Sequence, residues 1–257
     1  MAGGAVILRV ARAAPIWGLP LLGLALVVVV WHGAIAWFAL PPFILPSMPS
    51  IVARMASDAG PLGAAVAVTL FEAFGGFVLG TAIGVSVAIL FVLLPRLDAT
   101  ALPILVAINS VPTVAYSPLA LLWFGIGPTS KIVMVALVVG FTLLLNTLHG
   151  LKRADPAAIA LLRSFGAGPW GIMRRLRLPG ALPAIANGLR VGVVRSMIIA
   201  IVTEMLGAYR GIGWMIYEGT QTMDFLQVWA AVAVGSLASM AFYGAISWLD
   251  RRFIWWR

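Results

Sequence analysis

The chain contains no cysteine, which excludes disulfides, thiol nucleophiles and cysteine-ligated metals. Charge is scarce too: Asp, Glu, Lys and Arg together make up 10% of the 257 residues, against about 25% in a soluble domain. Acids are the rarer sign, 8 against 17 bases. No GxxxxGK[ST] loop is present, so the chain does not bind ATP by that route. No Ser/His/Asp set or paired carboxylates sit at a plausible membrane interface, so an intramembrane enzyme is the weakest reading. His32 and His149 stand far apart without acids beside them, which gives no metal site and suits polar anchors.

What remains is apolar. Hydrophobic residues fill 62% of positions and mean hydropathy is +1.07, the composition of an all-α polytopic membrane protein. A helix needs about 20 apolar residues to cross roughly 30 Å of hydrocarbon. On that ruler six spans are predicted, over residues 16–40, 63–94, 102–124, 130–148, 185–206 and 225–249. The first resembles a signal peptide, but its apolar run is too long for one. Residues 41–55 hold four prolines, and a short amphipathic helix is predicted from Pro49 to Ser57. Gly75-Gly76 and Gly80 with Gly84 predict close helix packing. The whole chain reads as one membrane domain, 1–257.

Lysine and arginine placement sets the orientation. With both termini cytoplasmic, the inner side holds Arg9, Arg12, Arg96, Lys152, Arg153, Arg163, Arg174, Arg175, Arg177, Arg251, Arg252 and Arg257. The outer side holds only Arg54, Lys131 and Arg210. Basic residues placed this way at span ends speak for membrane topology and against nucleic acid.

Within the apolar sequence stands a polar island, Asp155 to Pro183, inside a predicted cytoplasmic loop of about 150–183. Asp155-Pro156 is a helix start, and Gly166 can end that helix in the left-handed conformation. Gly168-Pro169 starts a second helix carrying Trp170, Ile172, Met173 and Leu176, predicted to stop before Pro179. Two short helices with an apolar and basic surface suit a groove on a partner protein. An amphipathic loop lying on anionic lipid is the plainer alternative.

Gly166, nine residues, Leu176, one residue, then Leu178-Pro179 resembles the cytoplasmic loop signature of binding-protein-dependent ABC importer permeases. The opening Glu-Ala-Ala of that signature is replaced here by Ala160-Leu161-Leu162. Pro112 to Leu119 with Leu122 to Gly127, Leu45-Pro46-Ser47, and Glu204 to Ala208 with Gly211-Ile212-Gly213 are similar to the nitrate, sulfonate and taurine branch, which includes transporters of thiamine precursors. The likeness runs from about Leu45 to the C-terminus. It implies a permease fold without catalytic or cofactor residues of its own. It also implies two cytoplasmic ATPase subunits that bind ATP and Mg, a second permease subunit (a homodimer by preference), an extracytoplasmic solute-binding protein and the bacterial cytoplasmic membrane. ATPase docking would fall on Asp155, Ala160, Leu161, Leu162, Arg163, Gly166, Ala167, Trp170, Arg174, Leu176 and Pro179.

A second set of residues points to a pathway. Pro112 and Pro118 interrupt the third span, and Asn109 and Tyr116 supply polar groups over the same turns, as in broken helices that line transport routes. A packing kink explains the prolines equally well. Glu72, Arg195 and Glu204 fall inside spans, where a charge costs enough to need a partner or water. Arg195 and Glu204 are nine residues apart on opposite helix faces. The expectation is that Glu72 and Arg195 pair across helices, against the alternative that both snorkel to interfaces. Arg190 is placed at the cytoplasmic entrance of the fifth span as an anchor. The rival function is an ATP-independent secondary carrier with Glu72 or Glu204 as a proton site.

Overall fold

The computed structural model describes residues 18–39 and 41–253. Among them every regular element is helical, with no strand. Residues up to Ala53 and those from Arg54 onward form two units. In the first, helix α1 (Gly18–Phe38) matches the first predicted span, whose end residues Ile16 and Leu40 lie outside the described residues. None of its residues from Leu21 to Phe38 is buried, as suits a lipid-facing helix. Trp31 Nε1 donates to the Pro46 carbonyl at 3.0 Å. Helix α2 (Met48–Ser57) starts where the Leu45-Pro46-Ser47 motif ends, because Ser47 Oγ accepts from the Ser50 N–H at 3.3 Å.

The second unit is built around α3 (Ala59–Leu93), α6 (Pro128–Lys152) and α9 (Leu178–Gly207). Phe77, Val135, Val139, Leu143, Val193 and Met197 fill the space where the three meet. The paired glycines of α3 permit that approach: a Cβ on Gly80 would come within 2.6 Å of the Ala136 carbonyl. A further apolar cluster joins Ala88, Phe91, Leu148, Leu151 and Met173 near the end of α6. Helices α10 (Ile212–Gln221) and α11 (Phe225–Phe253) pack through Ile212, Ala230 and Ala231 against Leu62 and Ala65.

Among the described residues five helices are long and apolar enough to cross a membrane, and a bent helix pair makes a sixth if it counts as one span. That pair corrects the third predicted span. Helix α4 (Pro95–Asn109) and helix α5 (Ser117–Phe124) with its leading 3₁₀ turn are bent by 86°. The break follows from Pro112, and Pro118 does not kink a helix but opens a new one in its first turn. The fifth span is corrected as well. The island's second helix does not stop before Pro179. Helix α8 (Pro169–Ile172) runs through a π turn, Met173–Arg177, directly into α9. In the wide turn the Leu178 N–H reaches back to the Met173 carbonyl, and Pro179 falls in the first turn of α9. A widened turn thus absorbs a proline that sequence rules treat as a stop.

Candidate functional site

Two polar regions lie at opposite ends of the bundle, since α6 begins beside one and finishes at the other. The first is the island. Helix α7 (Pro156–Ser164) is capped by Asp155, whose Oδ1 accepts from the Ala157 N–H at 2.9 Å. Gly166 takes φ +80°, its N–H bonds Arg163 O, and the Ala167 N–H bonds Leu162 O, both at 2.9 Å. This is a Schellman ending, and it closes α7 with no help from the rest of the protein. Ala160, Arg163, Arg174 and Pro179 are exposed, while Leu162, Ala167 and Leu176 are half-buried. Leu161, Phe165 and Trp170 present apolar side chains outward, Phe165 with 78% of its surface accessible. Met173 is fully buried and fixes the segment to the bundle end. The geometry is a rigid, capped ledge with an apolar and basic outer face.

The second region is buried. Glu204, near the end of α9, stands against the first turn of α10. Its Oε2 accepts from the Gly213 N–H at 2.7 Å, and its Oε1 accepts from Thr69 Oγ1 at 2.8 Å. Thr69 in turn accepts from the Ile212 N–H at 2.9 Å. The free N–H groups of a helix start are therefore satisfied by a carboxyl group and a hydroxyl from two other helices. Gly211 has φ +102°, and Gly213 lies against Ile201 and Glu204, so neither position has room for a side chain.

Lys131 of α6 is fully buried beside this knot. Its Nζ donates to Ile126 O and Gly207 O, both at 2.5 Å, and to Gly127 O at 3.3 Å. Lys131 is therefore not a loop charge, as the topology count had it. Removing it leaves Arg54 and Arg210 on that side and sharpens the asymmetry. Arg54 is tied to Asp58 at 2.7 Å and Asp224 at 2.6 Å.

Glu72 does not meet Arg195, contrary to the sequence expectation. Glu72 faces Glu204 and Lys131, whereas Arg195 Nη1 donates to Thr142 Oγ1 at 3.2 Å. Span membership says that each charge needs a partner but not which neighbour it meets; Glu72 is buried while Arg195 is exposed. Arg190 is also displaced from its expected entrance position, because α9 starts earlier; it pairs with the buried Asp250 of α11. Asn109 lines a 540 Å³ apolar cavity with Leu79, Gly84 and Leu137. Tyr116 donates to the Ile108 carbonyl at 3.2 Å, an oxygen that the Val111 N–H also reaches at 3.3 Å. Sequence reasoning missed Thr69, Lys131 and Asp250. Lys131 was legible, since a lysine one residue inside a predicted span needs partners.

Residues 80–255 match the family model described as "Binding-protein-dependent transport system inner membrane component". The chain belongs to this family of ABC importer permeases. The permease is 34% identical over 236 residues to a probable ABC transporter permease protein of Haemophilus influenzae, covering 92% of this chain and 96% of the relative. It is 30% identical to the riboflavin transport system permease RibX of Chloroflexus aurantiacus, covering 94% and 91%. The taurine transport system permease TauC of Escherichia coli is 28% identical, covering 91% and 87%. These relatives set the chain within the nitrate, sulfonate and taurine branch. An amino acid ABC transporter crystal structure superposes with TM-score 0.62 at 17% identity, over 78% of this chain and 98% of that one, which shows the shared fold. A multi-pass inner membrane protein is the result.

Proposed function

We propose that this permease forms the membrane channel of an ATP-driven importer that receives a small solute from an extracytoplasmic binding protein. The single domain 1–257 pairs with a second permease subunit, a copy of itself by preference. Two cytoplasmic ATPase subunits, which bind the ATP and Mg, dock on the Asp155–Pro183 ledges. Both termini then face the cytoplasm, and the Glu204 knot lies toward the outer side. The solute class follows the relatives: taurine-like or sulfonate-like, or a vitamin precursor or vitamin.

The observation that carries this reading is the ledge itself. It is ordered by its own caps, exposes Leu161, Phe165 and Trp170, and is continuous with the long helix that reaches Glu204. A partner that pushes the ledge displaces a transmembrane helix. Replacement of Glu-Ala-Ala by Ala160-Leu161-Leu162 leaves the apolar face and removes one acid, so contact here rests on burial and on the arginines.

The test is affinity purification from native membranes. A Walker-motif ATPase should accompany the chain and be lost on Gly166→Val with Leu176→Asp. Transport that continues without any ATPase and follows an ion gradient would sink the reading and favour a carrier.

A further inference from the structure

One face of α9 departs from the apolar pattern of the spans. Asn187 and Arg195 are exposed on it, about two turns apart, among the exposed Val191, Val194 and Ile198. Thr142 and Asn146 of α6 stand alongside. Asn187 Nδ2 donates to Asn146 Oδ1 at 3.3 Å, and Asn146 Nδ2 donates to the Thr142 carbonyl at 2.9 Å. Arg195 Nη1 donates to Thr142 Oγ1 at 3.2 Å, while Thr142 Oγ1 itself donates to the Val138 carbonyl at 2.9 Å. These contacts make one polar seam along the junction of α6 and α9.

Arg195 lies deep. It is about 18 Å along the helix from Gly207 at one end of α9 and about 27 Å from Arg177 before the other. A hydrocarbon layer of about 30 Å that ends near Gly207 has Arg195 close to its middle, too far from either surface to snorkel. A guanidinium at that depth needs water or an acid. Among the described residues Arg195 forms no ion pair, and only its Nη1 has a hydrogen-bond partner.

No acid of the chain is left to neutralise it. Glu72 and Glu204 meet each other in the knot, and Asp250 pairs with Arg190. Asp58 and Asp224 hold Arg54, and Asp98 holds Lys152. The other two, Asp155 at the start of α7 and Glu218 on the short α10, lie outside the long spans. A second copy of the chain therefore brings no free carboxylate to this depth either.

We propose that this seam is a wall of the solute pathway and that Arg195 binds the oxyanion of an anionic solute, a sulfonate or a carboxylate. The inference rests on the permease reading. The guanidinium is a rigid fork that matches two oxygens of such a group. Thr142 is a positioning residue: its hydroxyl, oriented by the Val138 carbonyl, holds Nη1 and leaves Nε and Nη2 for the anion. Asn187 and Asn146, toward the ledge, offer neutral hydrogen-bonding groups to the rest of the molecule. An uncharged heterocycle leaves the arginine without a counterion. The seam therefore favours the sulfonate class over uncharged vitamins and their precursors.

The absence of cysteine supplies the test. Val191→Cys, exposed one turn from Arg195, gives the chain a single thiol. The purified complex in lipid nanodiscs is treated with anionic 2-sulfonatoethyl or cationic 2-trimethylammonioethyl methanethiosulfonate, and labelling of this chain is read by mass. Both reagents attack thiols in water and not in hydrocarbon. Relative to a free thiol in solution, the site should favour the anionic reagent about tenfold or more, the scale of steering by a charged cleft. Arg195→Gln should remove that preference and Arg195→Lys should keep it. With Arg195 intact, ethanesulfonate should slow labelling more than its uncharged partner ethanesulfonamide.

Absence of labelling overturns the proposal, because the face then meets lipid or another subunit. A preference that survives Arg195→Gln, or equal protection by both compounds, overturns it as well. If Arg195→Gln does not fold, the protection pair decides alone. ATP hydrolysis stimulated by the binding protein is read on the same complex. Hydrolysis without anion preference overturns the role of Arg195 and leaves the importer standing; anion preference without hydrolysis does the reverse.

Discussion

The ledge at one end of the bundle and the knot at the other are both polar regions of a chain with few charges, yet they are organised by opposite means. The ledge is held by neighbours in sequence: Asp155 caps two residues on, and Gly166 and Ala167 reach back within one turn. The knot is held by residues far apart in sequence, Thr69 with Glu204 and Lys131 with Gly207. Local order leaves a surface free to meet another protein. Non-local order turns the knot's donors and acceptors on one another inside the bundle. The exposed ledge and the buried knot are thus told apart by the sequence distance of their hydrogen bonds.

The contrast predicts different responses to mutation. The largest belongs to Gly213→Val. The new side chain must displace Ile201 and Glu204, an overpacking cost of about 3 kcal/mol or more once the Glu204 bond is lost too. The expected readout is little folded protein in membranes and a lowered unfolding temperature in detergent.

Glu204→Ala comes next. It strips an acceptor from Gly213 N–H and Thr69, costing roughly 1–3 kcal/mol for the unpaired donors. Glu204→Gln keeps one acceptor oxygen and should fall between it and wild type in the same denaturation series. If Gln is as damaging as Ala, the carboxyl group matters for its charge rather than for its two acceptors.

The smallest effect is Asp155→Ala. Loss of an N-cap costs about 1 kcal/mol, confined to α7. Thermal unfolding of the bundle should stay unchanged while hydrogen exchange at Ala157 to Ile159 accelerates. A global loss of stability would mean that ledge and knot are not independent.

The same division explains what was readable from residues alone. Spans, the amphipathic helix before α3, both island helix starts and the Gly166 ending follow from composition and from rules that act over a few residues. The continuation through Pro179 was missed because a π turn changes the hydrogen-bond register before the proline arrives. The Glu72–Arg195 pairing failed for another reason. Span membership predicts that a charge needs a partner, while the partner's identity depends on how α3, α6 and α9 are rotated against one another. Thr142 on α6 meets Arg195, and Glu204 on α9 meets Glu72.

The π turn at Met173–Arg177 has a consequence for gearing. From Pro169 to Gly207 the helix is continuous, a rod of about 58 Å at 1.5 Å per residue. In such a rod each residue sets the angular phase of all those beyond it by about 100°. The extra residue held in the wide turn therefore dials the azimuth of Trp170 and Arg174 relative to Glu204. Deleting one residue there would leave both ends folded but clocked out of step, a shaft whose teeth no longer meet their wheel.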